Sequence, residues 1–203
     1  MFILSLYWLL SPILWILLPV FAIFTPKLRH HWANQKSTWH LAGERKKENG
    51  AGKQVVLFHA ASTGEFEQLK PILKKVNRSR YFILLTFFSP TIFNIEKNTP
   101  LADAVCYHPF DFPWSALLFF RKFDIHYYII TRNDIWPTHL FIAKQLGINT
   151  ILINANLYRE RHYNSGFMIF FLKQIFDNFN LILTGSERLQ SNLLNLVSQK
   201  KIL

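Results

Sequence analysis

The chain has 203 residues, half of them hydrophobic, 16% aromatic and only 17% charged, with a formal net charge of +11. That composition excludes a disordered or heavily solvated chain and allows one α/β domain plus an anchor. The single cysteine, Cys106, excludes an internal disulfide and a multi-cysteine metal site, and its apolar surroundings make it a core residue.

Residues 1–26 read as a membrane anchor. Met1 to Phe24 contain no charged residue, a length that can span a hydrocarbon core, and lack the basic n-region and small-residue cleavage site of a cleaved signal. Pro12 and Pro19 favour kinks, and Trp8 and Trp15 suit an interface. A full span and a helix lying in the inner leaflet therefore both remain open, as does a helix packed on the protein's own surface. Residues 27–53 read as a basic juxtamembrane linker. They hold seven Lys and Arg against Glu44 and Glu48, and Gly43–Lys53 is polar and glycine-containing. Basic residues following the apolar run place the rest of the chain in the cytoplasm and favour anionic lipid headgroups. No zinc finger, RNP-like motif or other nucleic-acid signature accompanies the charge, so nucleic acid is not an expected partner.

From residue 54 to 203 short apolar runs alternate with helical patterns. Strands are expected at Val55–Ala60, Tyr81–Thr86, Ala104–Tyr107, Ile125–Thr131, Thr150–Asn154 and Leu181–Thr184. Helices are expected at Phe66–Val76, Pro90–Lys97, Trp114–Phe123, Pro137–Leu146, Gly166–Phe179 and Glu187–Val197. The alternation predicts an α/β fold, a Rossmann-like, mostly parallel sheet with helices on both faces. Ligands of such sheets sit beyond the C-terminal ends of the strands, which selects Ser62–Glu65, Thr86–Thr91, Arg132–Asp134, Asn154–Asn156 and Gly185–Glu187. Neither G-x-G-x-x-G nor a P-loop follows a strand, so no nucleotide cofactor is expected. The histidines have no zinc-type spacing, and no metal is expected.

The segment His59-Ala60-Ala61-Ser62-Thr63-Gly64-Glu65-Phe66 supports two readings. Ser62 and Glu65 match a helix capping box. Alternatively, Gly64 lets a substrate approach the backbone while Glu65 acts as general base, its anionic form favoured by a helix N-terminus. Both hold if they belong to different ligation states. Asp134 has a similar ambiguity between a site residue and an N-cap for the helix near Pro137.

This segment resembles the His-Ala-x-Ser-x-Gly-Glu signature of the 3-deoxy-D-manno-octulosonic acid (Kdo) transferases. The resemblance continues in order through Thr86-Phe87-Phe88-Ser89-Pro90-Thr91, Ala102-Asp103, Tyr107-His108-Pro109-Phe110-Asp111-Phe112-Pro113 and Asp134-Ile135-Trp136-Pro137. Weaker positions are Asn154-Ala155 with Leu157, and Ser186-Glu187. It covers about Leu6 to Val197. It implies the N-terminal, acceptor-holding half of a two-domain GT-B glycosyltransferase. Such an enzyme transfers Kdo from CMP-Kdo to a lipid A precursor at the cytoplasmic side of the inner membrane. By the same resemblance Glu65 is the general base, and Ser62, Gly64, Ser89, Arg132 and Asp134 bind the acceptor or support the site. CMP-Kdo would bind only with a C-terminal donor domain, expected to be missing here. Three departures stand out. Ile92 replaces a usual glycine, Asn156 replaces an arginine, and Arg132-Asn133 stand where many relatives have Glu-Thr. These departures keep open a non-catalytic relative that only binds the lipid A precursor.

Overall fold

A computed structural model describes residues 2–132, 134–155, 166–194 and 196–203, and not the side chains of Phe2, Ile3, Phe167, Met168, Arg188 and Asn192. Asn133, Asn156, Leu157 and His162 therefore lie outside what is described here. Two long helices, α1 (Phe2–Phe24) and α2 (Pro26–Asn49), precede the alternating part. That part runs β1 (Gln54–Ala60), α3 (Thr63–Leu73), β2 (Tyr81–Phe87), α4 (Pro90–Glu96), β3 (Ala104–Tyr107), α5 (Pro113–Phe123) and β4 (Ile125–Thr131). It continues through α6 (Pro137–Gln145), β5 (Asn149–Ile153), α7 (Gly166–Phe176), β6 (Leu181–Ile182) and α8 (Glu187–Leu194), ending in a 3-10 turn at Gln199–Lys201.

All five strand pairings are parallel, in the order β3-β2-β1-β4-β5-β6. The strands are apolar on both faces because both are covered. Alternate side chains of β1 and β2 divide accordingly. Val55, Leu57, Phe82 and Leu84 join a core with Phe119, Phe120, Phe123, Leu140 and Phe176 from α5, α6 and α7. Val56, Phe58, Ile83, Leu85 and Phe87 join Phe66, Leu69, Leu73, Ile92 and Phe93 from α3 and α4. The Rossmann-like sheet expected from the alternation is thus the observed fold. Ile92, flagged as a bulky residue in place of a glycine, is a helical core residue with 1% exposure and no positive φ.

The linker reading of residues 27–53 is corrected. The segment is helical to Asn49, and Gly50 ends it where a Cβ would come within 2.6 Å of the Lys46 carbonyl. Its buried stripe is His31, Gln35, Thr38 and Ala42, a helical spacing built mostly of polar residues, so hydrophobic periodicity gives no sign of it. Those polar groups have partners on the sheet. Thr38 Oγ1 accepts from the Tyr107 N–H (3.3 Å), and Trp39 Nε1 donates to the Tyr107 carbonyl (2.8 Å). Side chains of α2 thus meet the N–H and carbonyl of Tyr107 on the edge strand β3.

Helix α1 is continuous through Pro12 and Pro19. Among the described residues it supplies one segment, Leu4–Phe24, long and apolar enough to cross a membrane. One stripe is docked on the domain. The Tyr7 hydroxyl donates to the Asp111 carbonyl (2.8 Å), Trp8 Nε1 donates to Thr138 Oγ1 (3.1 Å), and Ser11, Leu18 and Ala22 are buried. Leu9, Ile13, Ile16, Phe21, Ile23 and Phe24 are exposed.

Candidate functional site

The first strand ends at Ala60, and the chain turns into α3 with Ser62 as N-cap. The capping box is present. Ser62 Oγ accepts from the Glu65 N–H at 3.4 Å, and Glu65 Oε2 accepts from the N–H groups of Ala61 (2.7 Å) and Ser62 (3.1 Å). One oxygen of Glu65 is therefore anchored by two backbone donors, and Oε1 has no partner among the described residues. Gly64 has an ordinary negative φ, and a Cβ there would meet nothing within 4 Å. The fold itself makes no demand for glycine at that position.

Ser89 caps α4 by backbone geometry only, without a side-chain cap bond. At the end of β4, Arg132 has φ 62°, and Asn154 after β5 has φ 52°. Left-handed backbone at a non-glycine residue is costly, and it recurs where strands deliver residues to a site. At these strand ends the left-handed backbone falls on Arg132 and Asn154 and not on Ile92; Asp124, at the end of α5, shares it.

Asp134 is not the N-cap of α6. That cap residue is Trp136, without a side-chain bond, and the free N–H groups of the helix are met from another segment. Asp111 accepts from Thr138 N–H (3.5 Å) and His139 N–H (3.2 Å). Burial pushes the Asp111 carboxyl up to about 7, against the pull of those N–H groups. Asp134 turns inward instead. Its Oδ2 lies 2.6 Å from His59 Nε2 and accepts from Trp136 Nε1 at 3.0 Å. Burial acts to raise the Asp134 carboxyl, but the His59 and Trp136 hydrogen bonds and the His59 charge outweigh it and hold it below the ordinary carboxylate range.

Behind Asp134 lies a buried polar network that sequence reasoning missed. His59 Nδ1 faces the Thr86 carbonyl and hydroxyl, both at 3.1 Å, and the His59 ring stacks on His108 at 3.7 Å. His108 reaches Thr86 Oγ1 (3.0 Å), His139 Nδ1 (2.9 Å) and the Tyr128 hydroxyl (3.0 Å). His31, from α2, is wedged between the carbonyls of Phe88 (2.8 Å) and His108 (2.9 Å). Burial pushes His31 down to about 4 despite those carbonyls, His139 down to about 3, and His108 well below the ordinary histidine range. No group of three or more His, Cys, Asp or Glu among the described residues could hold a metal. The only legible trace of this network was a histidine near the end of an otherwise apolar β1.

Ser62, Gly64, Glu65, Ser89, Arg132 and Asp134 thus all follow the C-terminal ends of β1, β2 and β4, adjacent strands in the order β2-β1-β4. Two carboxylates, each with one oxygen gripped and one without a partner among the described residues, can accept protons or hydrogen bonds from a hydroxyl-bearing ligand. A cleft of about 970 Å³ between α2 and the α4–β3 edge, lined by residues such as Arg45, Glu48, Lys97 and Asp103, contains none of them. The candidate site is drawn on the strand-end chemistry and not on cavity size.

A six-stranded parallel sheet with helices on both faces is consistent with the N-terminal half of a GT-B glycosyltransferase. A family model described as 3-deoxy-D-manno-octulosonic-acid transferase (kdotransferase) matches residues 31–203, and the chain belongs to that family. It is 32% identical to the 3-deoxy-D-manno-octulosonic acid transferase of Aquifex aeolicus over 104 residues, 51% of this chain and 28% of that one. It is 26% identical to a probable mitochondrial 3-deoxy-D-manno-octulosonic acid transferase of Arabidopsis thaliana over 133 residues, 63% of this chain and 30% of that one. The Haemophilus influenzae 3-deoxy-D-manno-octulosonic acid transferase is 25% identical over 133 residues, 64% of this chain and 31% of that one. The chain thus spans about 30% of the length of these curated relatives.

Proposed function

We propose that this chain is the acceptor-binding part of a glycosyltransferase that moves Kdo from CMP-Kdo onto a lipid A precursor, with the donor held by a second domain. The observation that carries the reading is Glu65. It stands in the first turn of α3, with Oε2 fixed by two backbone N–H groups and Oε1, without a partner among the described residues, left to take the proton of an attacking sugar hydroxyl. Ser62 and the helix N-terminus keep the carboxylate in place. Gly64 leaves open space in which an acceptor can approach the backbone. Ser89, Arg132 and Asp134 supply a hydroxyl, a cation and a second carboxylate at the neighbouring strand ends. No metal or organic cofactor enters this scheme.

The membrane placement we propose rests on α1 and α2. The docked stripe bonds Tyr7 and Trp8 to Asp111 and Thr138 and packs Leu18 with Phe110 and Phe112. A helix held along that stripe cannot stand across a bilayer without drawing the polar start of α6 into hydrocarbon. This supports α1 lying in the interface of the cytoplasmic leaflet, its exposed apolar face in lipid and the cations of α2 near anionic headgroups.

The test is Glu65→Gln in an enzyme completed with a donor-binding domain. Glutamine still offers a carbonyl oxygen to the Ala61 and Ser62 N–H groups, so the fold should persist, while transfer should fall roughly 10²–10⁴-fold. Near wild-type transfer would leave Glu65 a capping residue and overturn the mechanism.

A further inference from the structure

We propose that His59 is the positioning residue for Asp134, and that the pair forms a fixed hydrogen-bond acceptor for a sugar hydroxyl of the acceptor substrate. This rests on the glycosyl-transfer reading and adds to it a residue with no access to substrate. His59 is fully buried, the penultimate residue of β1, with apolar neighbours on both sides along the strand. An apolar side chain would fill that position without loss of hydration, so a histidine there must recover its desolvation through its contacts.

Those contacts all converge on orienting one carboxylate. Nε2 lies 2.6 Å from Asp134 Oδ2, Nδ1 is held by Thr86, and the stack on His108 fixes the plane of the ring. Trp136 Nε1 donates to the same Asp134 oxygen, so both donors grip Oδ2. Oδ1 has no partner among the described residues, and the side chain retains 20% exposure. The arrangement repeats that of Glu65 on the adjacent strand end, one oxygen anchored and one presented. The difference lies in the anchors, which for Glu65 are backbone groups and for Asp134 are two ring N–H groups that a mutation can remove.

An aspartate this buried and lacking a donor would favour its neutral form. With His59 and Trp136 it stays an anion, which accepts hydrogen bonds and repels phosphate. The ligand group it fits is therefore a hydroxyl of the sugar ring and not the anionic substituents of the lipid.

Two readouts test this, on the full chain in detergent micelles. The first is the ¹³C carboxyl titration of Asp134. His59→Phe, which keeps an aromatic ring against His108, should move the midpoint upward past the ordinary aspartate value of about 3.9, and His59→Gln, which keeps an N–H donor, should reverse part of that rise. An unchanged midpoint in His59→Phe overturns the positioning role. The second is transfer from CMP-Kdo to a bis-phosphorylated lipid A precursor with a donor domain supplied. His59→Phe should raise KM for the acceptor about tenfold or more with a smaller change in kcat, and Asp134→Asn should do the same. A shifted carboxyl titration with unchanged KM overturns the hydroxyl-binding role. Absence of transfer in the unmutated enzyme defeats the glycosyl-transfer reading, while the titration still judges His59. If His59→Phe does not fold, His59→Gln against the unmutated chain decides the titration and Asp134→Asn decides the kinetics.

Discussion

Acid should loosen this protein well above the range in which ordinary carboxylates titrate. The sign follows from four buried groups. His31, His108 and His139 are held below the ordinary histidine value of about 6.5, to about 4 for His31 and about 3 for His139. As pH falls below about 6.5 the unfolded chain takes up protons on these three rings that the native state resists. Their contribution is present above about pH 6.5 and is lost as pH falls. Asp111 works in the opposite direction. Its carboxyl, raised to about 7, keeps a proton in the native state that the unfolded chain releases above about pH 4. Its contribution is complete below about pH 4 and is lost as pH rises through 7. The three rings outnumber the one carboxyl, so stability should fall as pH drops below about 6.5, by on the order of 1–3 kcal/mol per pH unit. Urea unfolding in micelles at pH 7, 6 and 5, followed by circular dichroism, measures the slope, and His31→Gln should reduce it by about one proton. A midpoint that does not move between pH 7 and pH 5 would refute the assignment of these rings as buried neutral groups.

Two further outcomes can be checked together. Gly64→Ala meets no atom within 4 Å and no positive φ, so it should leave stability unchanged or raise it by up to about 1 kcal/mol while weakening acceptor binding. Equal loss of stability and binding would place Gly64 in the fold and not in the site. The chain should float with vesicles after a high-salt wash and be released by deleting residues 1–24, since buried apolar area resists salt that screens surface charge. Complete extraction by salt would dismiss the lipid role of α1.

The strands were legible because each is a short apolar run between polar turns, and the observed bounds of the first five agree with the expected ones to within one residue. The capping box was legible for the same local reason, since Ser62 and Glu65 are three residues apart. What was hidden is non-local or polar. Helix α2 buries histidine, glutamine and threonine, which read as surface in any hydrophobicity pattern. The cap of α6 comes from Asp111, in the segment between β3 and α5, so proximity in sequence pointed to the wrong aspartate. Four histidines far apart in the chain meet only because α2, β1, the end of β3 and the start of α6 converge at one end of the sheet.

The seal that α2 places on β3 bears on how the protein can be trimmed. A boundary drawn at residue 54, where the alternating pattern starts, would remove Thr38 and Trp39 and leave the Tyr107 N–H and carbonyl bare on an open strand. A bare strand edge invites another chain to add to it, so such a fragment should associate edge to edge even with every core residue retained. A trimmed version of this domain therefore has to replace the exposed apolar residues of α1 one by one and keep α2 whole.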